Sequence, residues 1–403
     1  MARWDSFVQF LQEADQLSNA VSRQQLVNEL LREHELWPWI EDNLATFIYT
    51  RPGAQQVALN LDIIERDPPF DAMTNLEGTS LWYIQREFRR DDLLDYLIAV
   101  DDPMTPLREE RNLVQRIRKH WQPDEFNPNR IRTAQMETSV LRMPAARPFP
   151  DWETMPNIER GRIHEHDFSS VAMNFEDRKL WVYTPPGYQR DPSREYPLMV
   201  LLDGQWMVGP LQVPYIADAL IKHGRMEPTI IAMKQSAGQA TRMKDYVSND
   251  NHYRAILTEL VPLLQGEYRI DAINLGIGGA GVGAIAAAHV ALKNPAVFSH
   301  LIMLSPPLGR GQMQQQLVEY ADRFDNASIL PGRIFQSVGR YELATRFYKP
   351  GIALAGILQR RQDQRGDIDF EFVELGSGHG LPAFKSIMPE ALAHIFPGPA
   401  ITG

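Results

Sequence analysis

Hydrophobic and polar positions divide the chain into three textures. Up to about residue 42 the apolar residues recur at helical spacing: Phe7, Phe10 and Leu11 first, then Leu26, Leu30 and Leu31, until Trp37-Pro38-Trp39 breaks the run. From Ala45 to about Val100 the pattern shortens to β-branched and aromatic runs, ATFIYT, QVALNLDI, SLWYIQREF and LDYLIAV. Turn residues such as Arg51-Pro52-Gly53 and Asn75-Leu76-Glu77-Gly78 separate them. Strands so spaced, with no helix between, predict a small β-sandwich, and residues 1–102 are read as a first domain. Residues 103–158 are read as a Pro-rich linker. Pro103, Pro106, Pro123, Pro128, Pro144, Pro148, Pro150 and Pro156 punctuate it around one short helical piece near Arg108–Trp121.

The third texture spans residues 159–396. Two edge-like strands, RIHEHDF and KLWVYTPP, precede the buried apolar runs Leu198–Leu202, Thr229–Met233, Ile273–Ile277, His300–Leu304, Ile334–Val338 and Phe370–Leu375. Helical segments alternate with them: Val213–Lys222, Tyr253–Leu264, Gly281–Leu292, Lys349–Arg361 and Ala383–Ile395. Apolar strands alternating with helices predict an α/β domain, a mostly parallel sheet of about eight strands covered on both faces. Residues 397–403 are read as a flexible tail.

Composition narrows the function classes. The chain has 403 residues and no Cys, which excludes a thiol nucleophile, Cys-ligated zinc and iron–sulfur clusters. Asp and Glu number 51 against 41 Lys and Arg, and the net charge of −10 argues against a nucleic-acid partner. Met1–Leu17 reads as an amphipathic helix rather than a signal peptide, and no window approaches a membrane span. A cytoplasmic protein with no membrane partner is expected, its oligomeric state left open.

In an open α/β sheet the chemistry gathers at the carboxyl ends of the strands. Four ends stand out: Asp203-Gly204-Gln205-Trp206, then Gly276–Gly283 running into a helix, then Gly339-Arg340-Tyr341-Glu342, then Gly376-Ser377-Gly378-His379-Gly380. Strand–turn–helix, acid and late histidine, in that chain order, is the order of an α/β-hydrolase. In this reading His379 is the general base, Glu342 orients it, and the Gly279 N–H with one near Gln205 or Trp206 forms an oxyanion hole. Asp203 and Gly204 are read as pocket residues, and Ser305 as a residue lining the cleft.

With those residues in place the sequence resembles the enterochelin esterase family over nearly its whole length. ATFIYT, Gly78–Phe88 and Asp102-Pro103 resemble that family's amino-terminal β-sandwich, and LRMPAARPFPDW its Pro-rich linker. KLWVYTPPGY, YPLMVLLDGQW and KNPAVFSHLIMLSP resemble successive parts of its catalytic domain, LLDGQW being the most specific. The resemblance implies an esterase-like protein of the siderophore esterase kind. The family's elbow, Gly-x-Ser-x-Gly-Gly, lays onto Gly276-Ile277-Gly278-Gly279-Ala280-Gly281 and puts Gly278 at the serine position. A glycine closes the acyl-enzyme route. The family's aromatic-rich loop is replaced by Ser305-Pro306-Pro307-Leu308-Gly309, which argues against a catechol-lined pocket and against enterobactin itself.

Competing readings fail on particular residues. Gly276, Gly278 and Gly281 satisfy G-x-G-x-x-G, but the next strand ends in Leu304-Ser305-Pro306, without the acid a dinucleotide needs, and no cofactor is expected. His164 and His166 share a strand face with no third ligand nearby; they are read as solvent-facing, and no metal is expected. Ser248, Ser305 and Ser377 lack the sharp strand-to-helix turn of a nucleophile. The reading is therefore a pseudo-esterase that binds an ester or acyl small molecule. The alternative is a non-covalent hydrolase, or another enzyme of acyl compounds, in which His379 with Glu342 activates a water in the space left at Gly278.

Overall fold

A computed structural model describes residues 3–63, 66–133, 136–309 and 314–399. The chain divides into two compact units. The first comprises the chain up to Arg147 together with the short segment Gly376–Pro382; the second comprises Pro148–Leu375 and the chain from Ala383 onward.

The first unit opens with two capped helices. Ser6 accepts the Gln9 N–H ahead of the helix Phe7–Asp15, and Asn19 accepts the Ser22 N–H ahead of Ala20–Glu33. Their apolar residues Phe7, Phe10, Leu26 and Leu30 pack with Trp37, Ile48 and Leu81. The strands are β1 (Trp39–Glu41), β2 (Leu44–Thr50), β3 (Val57–Leu61), β4 (Asp71–Ala72), β5 (Thr74–Asn75), β6 (Leu81–Glu87), β7 (Leu93–Val100), β8 (Trp121–Gln122), β9 (Arg130–Arg132) and β10 (Glu137–Arg142). They form two sheets, β1-β2-β6-β5 and β4-β3-β7-β10-β9, with β8 also paired to β7.

The second sheet corrects the linker boundary. Residues placed in the connector by sequence supply a helix, Leu113–His120, and the strands β8, β9 and β10. The cause is a buried carboxylate. Asp102 receives Nε and Nη2 of Arg116 at 3.0 and 2.5 Å and the Trp121 indole N–H at 2.9 Å, drawing the proline-rich stretch onto the sandwich. The prolines sit between these elements, where none has to donate to a ladder.

The second unit holds one eight-stranded sheet, β11 (Arg162–Ser170), β12 (Phe175–Thr184), β13 (Tyr196–Leu202), β14 (Ile230–Lys234), β15 (Ile270–Ala280), β16 (Phe298–Leu304), β17 (Arg333–Gly339) and β18 (Asp369–Leu375). The order is β11-β12-β14-β13-β15-β16-β17-β18, parallel from β14 onward and antiparallel at β11 and β12. Every residue of β13 is buried, as a central parallel strand requires. From β13 the chain turns first to β14 on one side and then to β15 on the other, so the order reverses between β13 and β15. Such a switch point opens a crevice at the strands' carboxyl ends. The expected sheet and helices are present, with one irregularity: Tyr253–Leu264 is split by a wide π turn, Ala255–Leu260, ahead of Pro262, which has no N–H to give.

The tail assignment also changes. Pro397 bridges to Met226 and the Gly398 N–H donates to the Arg225 carbonyl at 3.1 Å; residues 400–403 lie outside the described residues. Among the described residues no helix is long and apolar enough to cross a membrane.

Candidate active site at the carboxyl ends of β13 and β15

The strand-to-helix turn lies three residues beyond the position read from sequence. Gly278 is a ladder residue inside β15, in register with Leu201 of β13 and Ile302 of β16. Gly279 likewise lies opposite Met303, and β15 runs on through Ala280. The turn itself is Gly281, with φ 55° and ψ −123°, followed at once by the helix Val282–Lys293. That backbone is open to glycine and strained for any other residue. Its N–H donates to the Leu304 carbonyl at 2.8 Å, and its carbonyl accepts the Ala284 N–H at 3.0 Å. The glycines on either side are set by contact. A Cβ on Gly279 would stand 2.6–2.7 Å from the Gly283 carbonyl group, so neither the strand nor the helix tolerates a side chain at their crossing. The room for a water expected at Gly278 does not exist there. A Cβ would already meet Met199 Cε at 2.7 Å and Ile302 Cβ at 2.8 Å.

Beside this turn the loop after β13 is held by an ion pair. Asp203, fully buried with φ 62°, receives Arg242 Nε at 2.7 Å and Nη2 at 2.6 Å. Arg242 comes from the helix Gln239–Tyr246 and lies over the rings of Trp206 and Tyr246, 5.0 and 5.4 Å from their centroids. Its Nη2 also reaches the Ala280 carbonyl at 3.4 Å. The Asp203 carboxylate stands at the first turn of the helix Val282–Lys293, where a Cβ on Gly283 would be 2.6 Å from Oδ2. Negative charge is favoured at that helix end. Burial works against the guanidinium, but the bonds to Asp203 outweigh it and hold Arg242 above its usual range. Burial, reinforced by the Asp203 charge, pushes the Tyr246 hydroxyl well up.

The neighbouring residues predicted from sequence have defined tasks. Gly204 must be glycine because the Met233–Lys234 backbone of β14 passes through its side-chain space. Gln205 bonds Ser236 twice, by Nε2 to Oγ at 2.7 Å and by Oε1 from the Ser236 N–H at 3.2 Å. The Trp206 N–H is taken by the Asp203 carbonyl at 2.9 Å. Ser305 ends β16 with φ 48°; it is fully buried, and its hydroxyl finds no partner among the described residues. Glu342 is buried after β17 and accepts the Gly339 N–H at 3.2 Å. Ser248 bonds Tyr320, and the histidines at 164 and 166 are half-buried beside Tyr268 rather than solvent-facing. Among the described residues no group of His, Asp or Glu is arranged to hold a metal ion.

His379 falls in the other unit. Its loop, Gly376–Pro382, clusters with residues up to Arg147, although β18 and most of the last helix, Leu381–Ile395, belong to the second unit. The imidazole is exposed between buried or half-buried glycines.

Residues missed by the sequence reading are Gly281, Gly283, Arg242 and Tyr246. Two buried basic groups were also unforeseen behind the Asp203 loop. Burial lowers Lys234 at the end of β14 to about 8, and burial with the Lys234 charge lowers His252 well below its usual value. Lys234 Nζ donates to the Gln235 carbonyl at 3.5 Å and lies over the Phe175 ring, 5.4 Å from its centroid, while His252 Nε2 has no partner among the described residues. Arg242 and Tyr246 lie in a mixed polar stretch, TRMKDY, that gives no local signal of a buried pair.

Comparison with known families completes the picture. Residues 46–152 match the family model "Enterochelin esterase, N-terminal", and residues 170–330 match that described as "Putative esterase". The chain belongs to the enterochelin esterase family. In fold it is similar to the enterobactin esterase of Shigella flexneri, solved in the presence of enterobactin, with 19% identity and a TM-score of 0.71 over 89% of this chain and 94% of that one. The ferric enterobactin esterase of Salmonella typhimurium gives 17% identity and a TM-score of 0.72 over 91% and 98%. A ferulic acid esterase matches 59% of this chain and 98% of its own, with 15% identity and a TM-score of 0.51.

The loop after β16 holds no aromatic residue. Ser305-Pro306-Pro307-Leu308-Gly309 is buried throughout. The Gly309 N–H donates to the Arg346 carbonyl at 2.9 Å, and a Cβ on Gly309 would be 2.7 Å from Pro350 Cγ. At Gly309 the Thr345–Arg346 backbone closes on the chain and leaves no place for a side chain.

Proposed function

We propose that the protein is a non-covalent member of its family: it binds an ester or acyl small molecule at the switch point between β13 and β15 and forms no acyl-enzyme. The observation that carries this reading is Gly281. It occupies the strained tip of the strand-to-helix turn, where Gly-x-Ser-x-Gly proteins present their nucleophile, and Gly279-Ala280-Gly281-Val282-Gly283 has the pattern's two outer glycines without its serine. The vacant nucleophile position is thus reassigned from Gly278 to Gly281. By the same offset, the oxyanion N–H that follows the tip belongs to Val282 in place of Gly279.

The fluorophosphonate test is direct, since that probe reports an activated serine. The natural chain stays unlabelled at full occupancy of the fold, and stoichiometric labelling of any serine would overturn the reading. Ligand binding is then measured by calorimetry with acyl and aryl esters and a catecholate trilactone.

A second reading is favoured by the exposed His379 in its closely fitted glycine loop. Here the imidazole, with Glu342 as its acid, activates water against a carbonyl, and no protein–acyl bond forms. Labelled solvent oxygen entering the acid product, lost in His379→Gln, would select this reading. Unchanged ester in both proteins would select binding alone. A cytoplasmic location belongs with either reading as an expectation, to be checked by fractionation.

A further inference from the structure

The histidine loop, Gly376-Ser377-Gly378-His379-Gly380, alternates glycine with larger residues, and each glycine faces an aspartate of the same unit. A Cβ on Gly376 would lie 2.6 Å from the Asp91 carbonyl oxygen and 3.0 Å from Asp92 Oδ1. On Gly378 it would overlap the Asp62 carboxylate, and on Gly380 that of Asp95. Two hydrogen bonds pin the ends: the Leu93 N–H to the Gly376 carbonyl at 2.8 Å, and the Gly380 N–H to Asp62 Oδ2 at 3.1 Å.

We propose that Asp62, from the turn after β3, and Asp95, from β7, are positioning residues for His379: their side chains stand in the space left at Gly378 and Gly380, shape the glycine loop and present carboxyl oxygens to the imidazole. The β-sandwich then carries part of the base's machinery. The glycines at 378 and 380 are explained together, since they bracket His379 and leave the space in which the two carboxyls stand. The aspartates against the loop's glycines are Asp62, Asp91, Asp92 and Asp95, Asp91 through its backbone carbonyl, and the carboxylates of Asp62 and Asp95 stand at the glycines on either side of the histidine. Burial raises Asp95 above the ordinary carboxyl range, and its own backbone, Asp62 and the His379 charge each pull it partly back. Its functional meaning rests on His379 acting as a base, but its geometry does not.

The test uses the full-length chain labelled with ¹³C at aspartate carboxyls, the Asp95 signal being identified by its loss in Asp95→Asn. The Asp95 carboxyl titrates above the ordinary range, and His379→Gln shifts that midpoint further up, because a charge that favoured the ionised form is gone. His379 is exposed, so this variant melts where the natural chain does. A midpoint unmoved by His379→Gln overturns the proposal. A second measurement reads the loop. Amide exchange at Gly380 quickens ~10-fold in Asp62→Ala, where its acceptor is lost, and returns in Asp62→Asn, which keeps an acceptor oxygen. Equal exchange in Asp62→Ala and the natural chain likewise overturns it. Neither measurement needs turnover or a ligand, so failure of the ester-site reading leaves this proposal standing or falling by itself.

Discussion

Two glycine-rich turns, Gly279–Gly283 and Gly376–Gly380, look alike in sequence and differ at their tightest glycines, Gly279 in the first and Gly380 in the second. At the first, backbone meets backbone: the end of β15 and the start of its helix cross so closely that Gly279 abuts Gly283. At the second, the backbone carbonyls of Asp91 and Asp62 approach Gly376 and Gly378, and the carboxylates of Asp62, Asp92 and Asp95 take up the rest of the space, alone at Gly380. At Gly279 no side-chain change can relax the crossing. At Gly380 the filling is the Asp95 side chain, and shortening it relaxes the fit.

The largest effect expected is a gain. Gly281→Ser places a hydroxyl at the tip of the first turn, and we expect fluorophosphonate labelling to go from none to near one per chain, read by mass spectrometry. No labelling in that variant would mean that the tip is not a nucleophile position. Next comes the brace beside it. Asp203→Ala leaves the Arg242 guanidinium buried and unpaired, at a cost of ~3–5 kcal/mol in denaturant melts. Lys234, behind the same loop, works against folding. Its folded value of about 8 against the ordinary 10.5 means that the unfolded chain holds a proton the folded one releases between those limits. Stability therefore rises as pH rises through that window, and below it the penalty is full, at most ~3 kcal/mol. Lys234→Met should raise the midpoint of unfolding at neutral pH and lose most of that advantage by the upper end of the window.

The smallest two effects sharpen the comparison itself. Gly279→Ala meets backbone and costs roughly 2–3 kcal/mol, and no single side-chain truncation around it restores the loss. Gly380→Ala meets the end of a side chain, costs roughly 1–2 kcal/mol, and is rescued by Asp95→Ala in the same chain. Rescue of both, or of neither, would erase the distinction between the two turns.

These turns also mark where sequence reasoning ran out. Alternating apolar runs and helices carried the eight-stranded sheet and its ligand-binding end, because burial on both faces of β13–β17 writes itself into composition. The Asp203–Trp206 loop was legible for the same reason, being a polar break after a fully apolar strand. The elbow was not. Gly276, Gly278, Gly279, Gly281 and Gly283 fit a glycine-spaced turn in more than one register, and glycine carries no hydrophobic signal to say where the strand stops. What decides is the pairing of Gly278 with Leu201 and Ile302, two contacts remote in sequence. Arg242, Asp62 and Asp95 were hidden likewise. A charge inside the fold is recognised by its partner, and Asp203 stands 39 residues from Arg242 and Gly380 318 from Asp62. The proline count misled in the connector, since it registered the turns and missed the Asp102 carboxylate that gathers the pieces between them.

The segment Gly376–Pro382 belongs to one unit while the strand before it and most of the helix after it belong to the other. A boundary of this kind is crossed three times by the chain, at residues 147–148, 375–376 and 382–383. A fragment spanning residues 148–403 alone would carry the histidine loop without Asp62, Asp92 and Asp95, the side chains that stand where its glycines have none.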